Sequence, residues 1–327
     1  MKHLETKYLG LSLKNPIIIG SSGLTSTLDM LRRCEDAQAG AVVLRSVFED
    51  EVRIEMEQSS RDHLDSGTLD ALLWRPDKLA SSREGERYLN LVQSASNLLD
   101  IPVIASVSCH ALSTWGQYAN ELSQAGADAI EVNLHELSAS VVRTAETIEE
   151  TYLMAVRAVK ANTSVPVAVK LPQEFTNLAR LAFEVELEGA DSLVFFTRPF
   201  LPDFDIDKID LKRGVTLSQP SDYKPSLRWI ALLYGRLNAQ LCAAGGVHDG
   251  QTIVKQILAG ATTVQVVSAL YRMDMFKVGQ MLDFVSEWMD KHGFASLEAF
   301  RGKLSQPNSD DPYLYEKTQY TKMRLRA

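Results

Sequence analysis

Eight short apolar runs, spaced by stretches of helical periodicity, set the plan of this chain. Four of them begin alike: Pro16-IIIGSS, Pro102-VIASVS, Pro166-VAVKLP and Gln240-LCAAGG. Each is rich in Val, Ile or Ala and too short for a helix. Continuous apolar runs of this length suit strands buried on both faces. After each comes a helical stretch, a glycine and a second apolar run: AVVLRSVF from Ala41, AIEVNLH from Ala129, SLVFFTR from Ser192 and TVQVVSALY from Thr263. The glycines are Gly40, Gly126, Gly189 and Gly260. A glycine just past a helix end takes the left-handed conformation that closes the last turn, and this is expected of all four. The interval from run to glycine barely changes: 16 to 40, 102 to 126, 166 to 189, 240 to 260.

Helices are also expected between these units, at Glu84–Leu99, Glu146–Lys160 and Ser226–Leu237, with a last one at Met275–Lys291. Alternating strand and helix throughout implies parallel strands joined by right-handed crossovers. Eight such strands imply a closed (β/α)8 TIM barrel, with an open doubly wound sheet as the other arrangement. The whole chain, 1–327, reads as one barrel domain with a C-terminal extension from about residue 306. Two links are long and polar, Glu49 to Arg83 and Pro199 to Lys224. Both follow even-numbered strands, so both are insertions at the C-terminal face, where barrel active sites are built. The second is expected to form a short hairpin or a lid. The extension either wraps the barrel or meets a second subunit.

Charge and cysteine usage narrow the function classes. The net charge of −8 offers no general field for nucleic acid or an anionic membrane. Three scattered cysteines, Cys34, Cys109 and Cys242, form neither a disulfide framework nor a metal-binding spacing. The N-terminus lacks a signal-peptide apolar run, and no run approaches the ~20 residues of a membrane helix. A cytoplasmic protein acting on a small molecule is expected.

The candidate chemistry stands at the strand ends. In AAGGVHDG, Gly245 and Gly246 let backbone approach a ligand closely. They form either a phosphate cradle with the loop after the eighth strand or a plain strand-to-helix turn. Lys170 breaks an apolar strand and needs an anionic partner: a ligand, or Glu131 two positions before Asn133 on the neighbouring strand. Asn133 can donate and accept towards a heterocycle edge or serve as a core amide. Arg45 is a planar donor for an anion or is simply ion-paired. His135 and Glu136 are the acid–base groups after strand four, or part of a solvated loop. Cys109 is an inert or a catalytic thiol.

Taken together, LKNPIIIGSSG, AGAVVLRS, IPVIASVS, AIEVNL, VPVAVKLP, LCAAGGVHDGQTIVKQILAGATTVQVVSAL and FRGKL resemble the FMN-dependent dihydroorotate dehydrogenase family, especially its cytosolic class. The resemblance runs from about Leu11 to Leu304. It implies an FMN barrel and a homodimer. Gly20, Ser21 and Ser22 would lie against the flavin ring. Asn133 and Lys170 would bind the ring and ribityl chain. Gly245, Gly246 and Ser268 would hold the phosphate, with Val267 where the family often has glycine. Arg45 replaces the family's active-site lysine and would anchor substrate or flavin. Glu136 stands at the position of the family's catalytic cysteine, and Thr197 at that of a substrate-binding asparagine. The asparagine-bearing segment that grips orotate has no counterpart between Phe48 and Trp74. The flavin half therefore matches and the pyrimidine half largely does not. The resemblance implies hydride transfer from a CH–CH bond of a small, anionic substrate, with dihydroorotate as the default. The other readings are an FMN-binding barrel without turnover and a flavin-free lyase or aldolase using Lys170 as a Schiff-base amine.

Overall fold

The protein is described by a computed structural model over residues 2–63, 78–135, 139–199, 201–212, 214 and 216–317. Eight parallel strands form a closed barrel: β1 (Ile17–Ile19), β2 (Ala41–Val43), β3 (Val103–Ser108), β4 (Ala129–Asn133), β5 (Val167–Leu171), β6 (Ser192–Phe195), β7 (Gln240–Ala244) and β8 (Thr263–Val266). β8 pairs back onto β1, with Val264 opposite Ile17, which excludes the open sheet. Nearly every strand residue is buried, as the unbroken apolar runs require. Each fully buried Val, Ile or Leu contributes about 1.5–3 kcal/mol, and the space between barrel and helices holds the larger core.

Three of the four repeat glycines, Gly126, Gly189 and Gly260, have φ of 98°, 100° and 126° and close their helices as expected. Gly40 does not. Gln38 takes the positive φ instead, at 70°. Gly40 is required for space, because a Cβ there would lie 2.2 Å from the Asn15 carbonyl. The helices expected from periodicity are present at Arg83–Leu98, Ala145–Asn162, Lys224–Leu233 and Lys277–His292. The third ends four residues early. Tyr234 leaves it so that its ring can fill the space beside Gly260 and Gly302, where a Cβ would come within 2.4 and 2.1 Å of the ring.

The N-terminus closes the bottom of the barrel. Thr6–Tyr8 and Leu11–Leu13 form an antiparallel hairpin. Its two turn residues, Leu9 and Gly10, both have positive φ, the geometry of a tight two-residue turn. Tyr8, Leu9 and Leu13 pack on the lowest interior layer, against Ile18, Val43, Ile104 and Val194. The Ser192 hydroxyl donates to the Tyr8 hydroxyl at 3.0 Å.

Of the first insertion, Glu49–His63 is a helix, and residues 64–77 lie outside the described residues. Glu49 is buried, and its carboxylate accepts the amides of His110 and Ala111 at 2.6 and 3.0 Å, tying this helix to the start of the helix Leu112–Gln124. The second insertion carries the expected hairpin, Phe204–Asp205 with Asp210–Leu211. Residues 306–317 of the extension wrap the barrel: Arg228 donates to the carbonyls of Tyr315 and Lys317 at 2.8 and 2.9 Å. No helix among the described residues is long and apolar enough to cross a membrane.

Candidate active site

A cavity of about 390 Å³ opens at the C-terminal end of the barrel, within the range of small-ligand sites. Residues reach it from seven strand ends, because alternate residues of each strand point inward and the last inward residue borders the mouth.

Beneath it lies a charged layer. Glu131 on β4, Lys170 on β5 and Gln265 on β8 all face the interior. The Lys170 Nζ donates to Gln265 Oε1 at 2.7 Å and lies 3.5 Å from Glu131 Oε1. The Gln265 amide donates to the other Glu131 oxygen. Glu131 is 1% exposed, so Lys170 is its counter-charge in a dry setting. Burial of such a pair is tolerated only when the remaining lone pairs are bonded, as here. The pairing of Lys170 with Glu131 was legible in the strand pattern. Gln265 was missed, although the same signal, a polar residue inside an apolar strand, marks it in TVQVV.

Asn133 and Thr197 meet at the rim: the Thr197 hydroxyl donates to Asn133 Oδ1 at 2.8 Å. The Asn133 NH2 remains as a donor for a ligand. Ser21 accepts the Ser46 amide at 2.8 Å, and a hydroxyl chain runs from Ser21 to Ser46 (3.1 Å) and on to buried Ser106 (2.7 Å). Ser22 donates to the Gly20 carbonyl at 3.2 Å and borders the cavity. Gly20 does not border it. A Cβ at Gly20 would lie 2.9 Å from Val267 Cγ2 and 3.1 Å from Gln265 Oε1, so this glycine lets β1 and β8 close together.

Gly245 and Gly246 border the cavity with φ of 88° and 68°. Gly246 also packs on backbone, since a Cβ there would fall 2.1 Å from Tyr223 N, while the Cβ side of Gly245 is open. The Ser268 hydroxyl accepts the Ser218 amide at 2.9 Å. Ser218 belongs to a strap, 216–222, that returns from the second insertion across the mouth. Arg198 fixes the strap by donating to the Thr216 carbonyl at 2.8 Å and to Asp222 Oδ2 at 3.0 Å. His248 lies 3.0 Å from the Ser218 hydroxyl. Burial, and then the positive charge of Arg272, depress its pKa below the usual histidine value.

Arg45 borders the cavity, and its guanidinium is held on both Glu51 oxygens at 2.5 and 3.1 Å. His135 does not border it. Its Nδ1 lies 3.3 Å from the Ser108 hydroxyl, its ring meets Phe48 edge-on, and it faces an adjoining cavity with Phe175 and Pro172. Glu136 lies outside the described residues. Cys109 is buried among apolar groups, with its pKa raised by burial first and by Glu49 next, which suits an inert thiol.

The family model for dihydroorotate dehydrogenase matches residues 77–289. The chain belongs to the dihydroorotate dehydrogenase family. It is 29% identical over 301 residues to the dihydroorotate dehydrogenase B (NAD(+)) catalytic subunit of Methanosarcina acetivorans, covering 90% of this chain and 93% of that protein. The Pyrococcus abyssi protein of the same name is 27% identical, covering 91% and 98%. The NAD-dependent dihydropyrimidine dehydrogenase subunit PreA of Escherichia coli is 24% identical, covering 92% of this chain and 76% of that protein. In this member of the dihydroorotate dehydrogenase family, Ser21, Ser22, Asn133, Lys170, Thr197, Gly245, Gly246 and Ser268 border one cavity.

Proposed function

We propose that this chain is an FMN-dependent oxidoreductase acting on a CH–CH bond of a small heterocycle of the dihydropyrimidine type. One observation carries the reading: apart from Gly20, the residues that match the family's flavin-binding positions converge on a single cavity from separate strand ends. The donor set suits a flat ring bearing a phosphate. Backbone at Gly245 and Gly246, with the Ser268 hydroxyl, would hold the phosphate. Lys170 and Asn133 would meet the polar edge of the ring, and Ser21 and Ser22 its other side. FMN bound there would supply the hydride acceptor. Asn133 and Thr197 would orient the substrate beside it, with Arg45 at the rim. Proton transfer is assigned to Glu136 rather than His135, because His135 faces the adjoining cavity.

The visible spectrum of the purified protein, with the released cofactor identified by mass, tests this first. Stoichiometric FMN is expected, bleached anaerobically by a dihydropyrimidine. Glu136→Gln is expected to slow bleaching by about 10²-fold or more while FMN is retained, the range of a lost general base. Failure to take up FMN on reconstitution would overturn the reading.

A further inference from the structure

We infer that Glu131, held in place by Gln265, sets the reduction potential of the cofactor at this site by cancelling the charge of Lys170. The inference rests on the flavin reading above, in which Lys170 meets the ring, and extends it to the two residues that hold Lys170.

All three side chains border the cavity. Glu131 and Gln265 are buried, and the Lys170 side chain is 13% exposed. An ammonium has three hydrogens to give. Here one goes to Gln265 Oε1 at 2.7 Å and one to Glu131 Oε1 at 3.5 Å, which leaves the third for a ligand. The other Glu131 oxygen accepts the Gln265 amide. One carboxylate against one ammonium, with a neutral amide bonded to both, leaves the layer without net charge. The other cations bordering the cavity, Arg45 and Arg198, are paired with Glu51 and Asp222 at the partly exposed rim. Solvent screens charges there more strongly than on the buried floor.

Reduction adds negative charge to a flavin ring, so charges beside the ring tune its potential. A lone ammonium at Lys170 would favour the reduced state and raise the potential. The Glu131 carboxylate disfavours the same state and lowers it. In a dry setting such a charge acts over several ångströms with little loss. Glu131 therefore offsets what Lys170 would otherwise do, and Gln265 fixes the offset by bonding both partners. The consequence is a reduced cofactor that gives its electrons up readily.

The test is the midpoint potential of FMN bound to the full chain, read by anaerobic reductive titration against a dye of known potential. Glu131→Gln removes the charge and keeps the shape. Its midpoint is expected to rise by about 30 mV or more, a tenfold or greater gain for reduced over oxidised FMN in a two-electron couple. Glu131→Asp keeps the charge and shortens the side chain, and is expected to stay within about 10 mV, about twofold. If Glu131 served only to position Lys170, the Asp variant would move as far as the Gln variant. Circular dichroism checks that each variant folds. Lys170→Met combined with Glu131→Gln removes both charges together, which a core tolerates better than the loss of one, so it decides the matter even if Glu131→Gln alone does not fold. Its midpoint is expected within about 30 mV of the unaltered protein, the tenfold limit. No rise in Glu131→Gln, or a rise matched by Glu131→Asp, would overturn the inference. So would a double variant whose midpoint falls beyond that limit. Ultrafiltration of the unaltered protein with FMN separates the two readings. Failure to hold FMN there sinks the flavin reading and this inference with it, whereas a sound complex with unmoved potentials sinks only this inference.

Discussion

Lys170 illustrates how much a single residue discloses. A lysine inside AVKLP has to find an anion, and Glu131 on the adjacent strand faces the same interior. The structure joins them and adds Gln265. An ammonium engaged in this way is a poor starting point for a Schiff-base nucleophile, which needs a desolvated or electrostatically activated amine. Replacing it with Met would leave Glu131 buried and unpaired. Lys170→Met is therefore expected to lower stability in urea by about 3–5 kcal/mol, and adding Glu131→Gln to recover much of that. Arg45 and His135 show where residue-level reasoning stops. Their chemistry was legible, but their direction was not. Arg45 turned to Glu51, a residue six positions on that only a helix starting at Glu49 brings into reach. His135 turned to Ser108 on the neighbouring strand.

At the scale of elements, strands and helices followed from periodicity because burial on both faces, or on one stripe, leaves a direct trace in the pattern. Ends were less legible. Gly40 serves space rather than φ, and Tyr234 ends its helix for a packing partner distant in sequence. The strap 216–222 carries no periodic signal; it is held by polar contacts to Arg198, Ser268 and His248. This gives a pH dependence. Burial holds the His248 pKa below its unfolded value of about 6.5. The unfolded chain then takes up the proton more readily than the folded one. The stability linked to neutral His248 is present above about pH 6.5 and is lost as pH falls through the lower folded pKa. Melting temperature measured from pH 7.5 to 5 is expected to fall more steeply for the unaltered protein than for His248→Gln.

At the scale of the molecule, closure of the barrel decides both stability and site. The interior is filled from below by the N-terminal hairpin, whose Tyr8 is 1% exposed. Tyr8→Ala is expected to cost about 3–5 kcal/mol by opening a cavity under the interior layer, read as a lowered denaturation midpoint. Strand number, order and the polar positions within strands were determined by the sequence alone, because each reports a local burial pattern. The hairpin's place under the barrel, the strap over its mouth and the pairing of Arg45, Lys170 and Arg198 at the cavity were decided only by the tertiary structure. These depend on contacts between segments tens to hundreds of residues apart, and such contacts leave no periodicity in the chain.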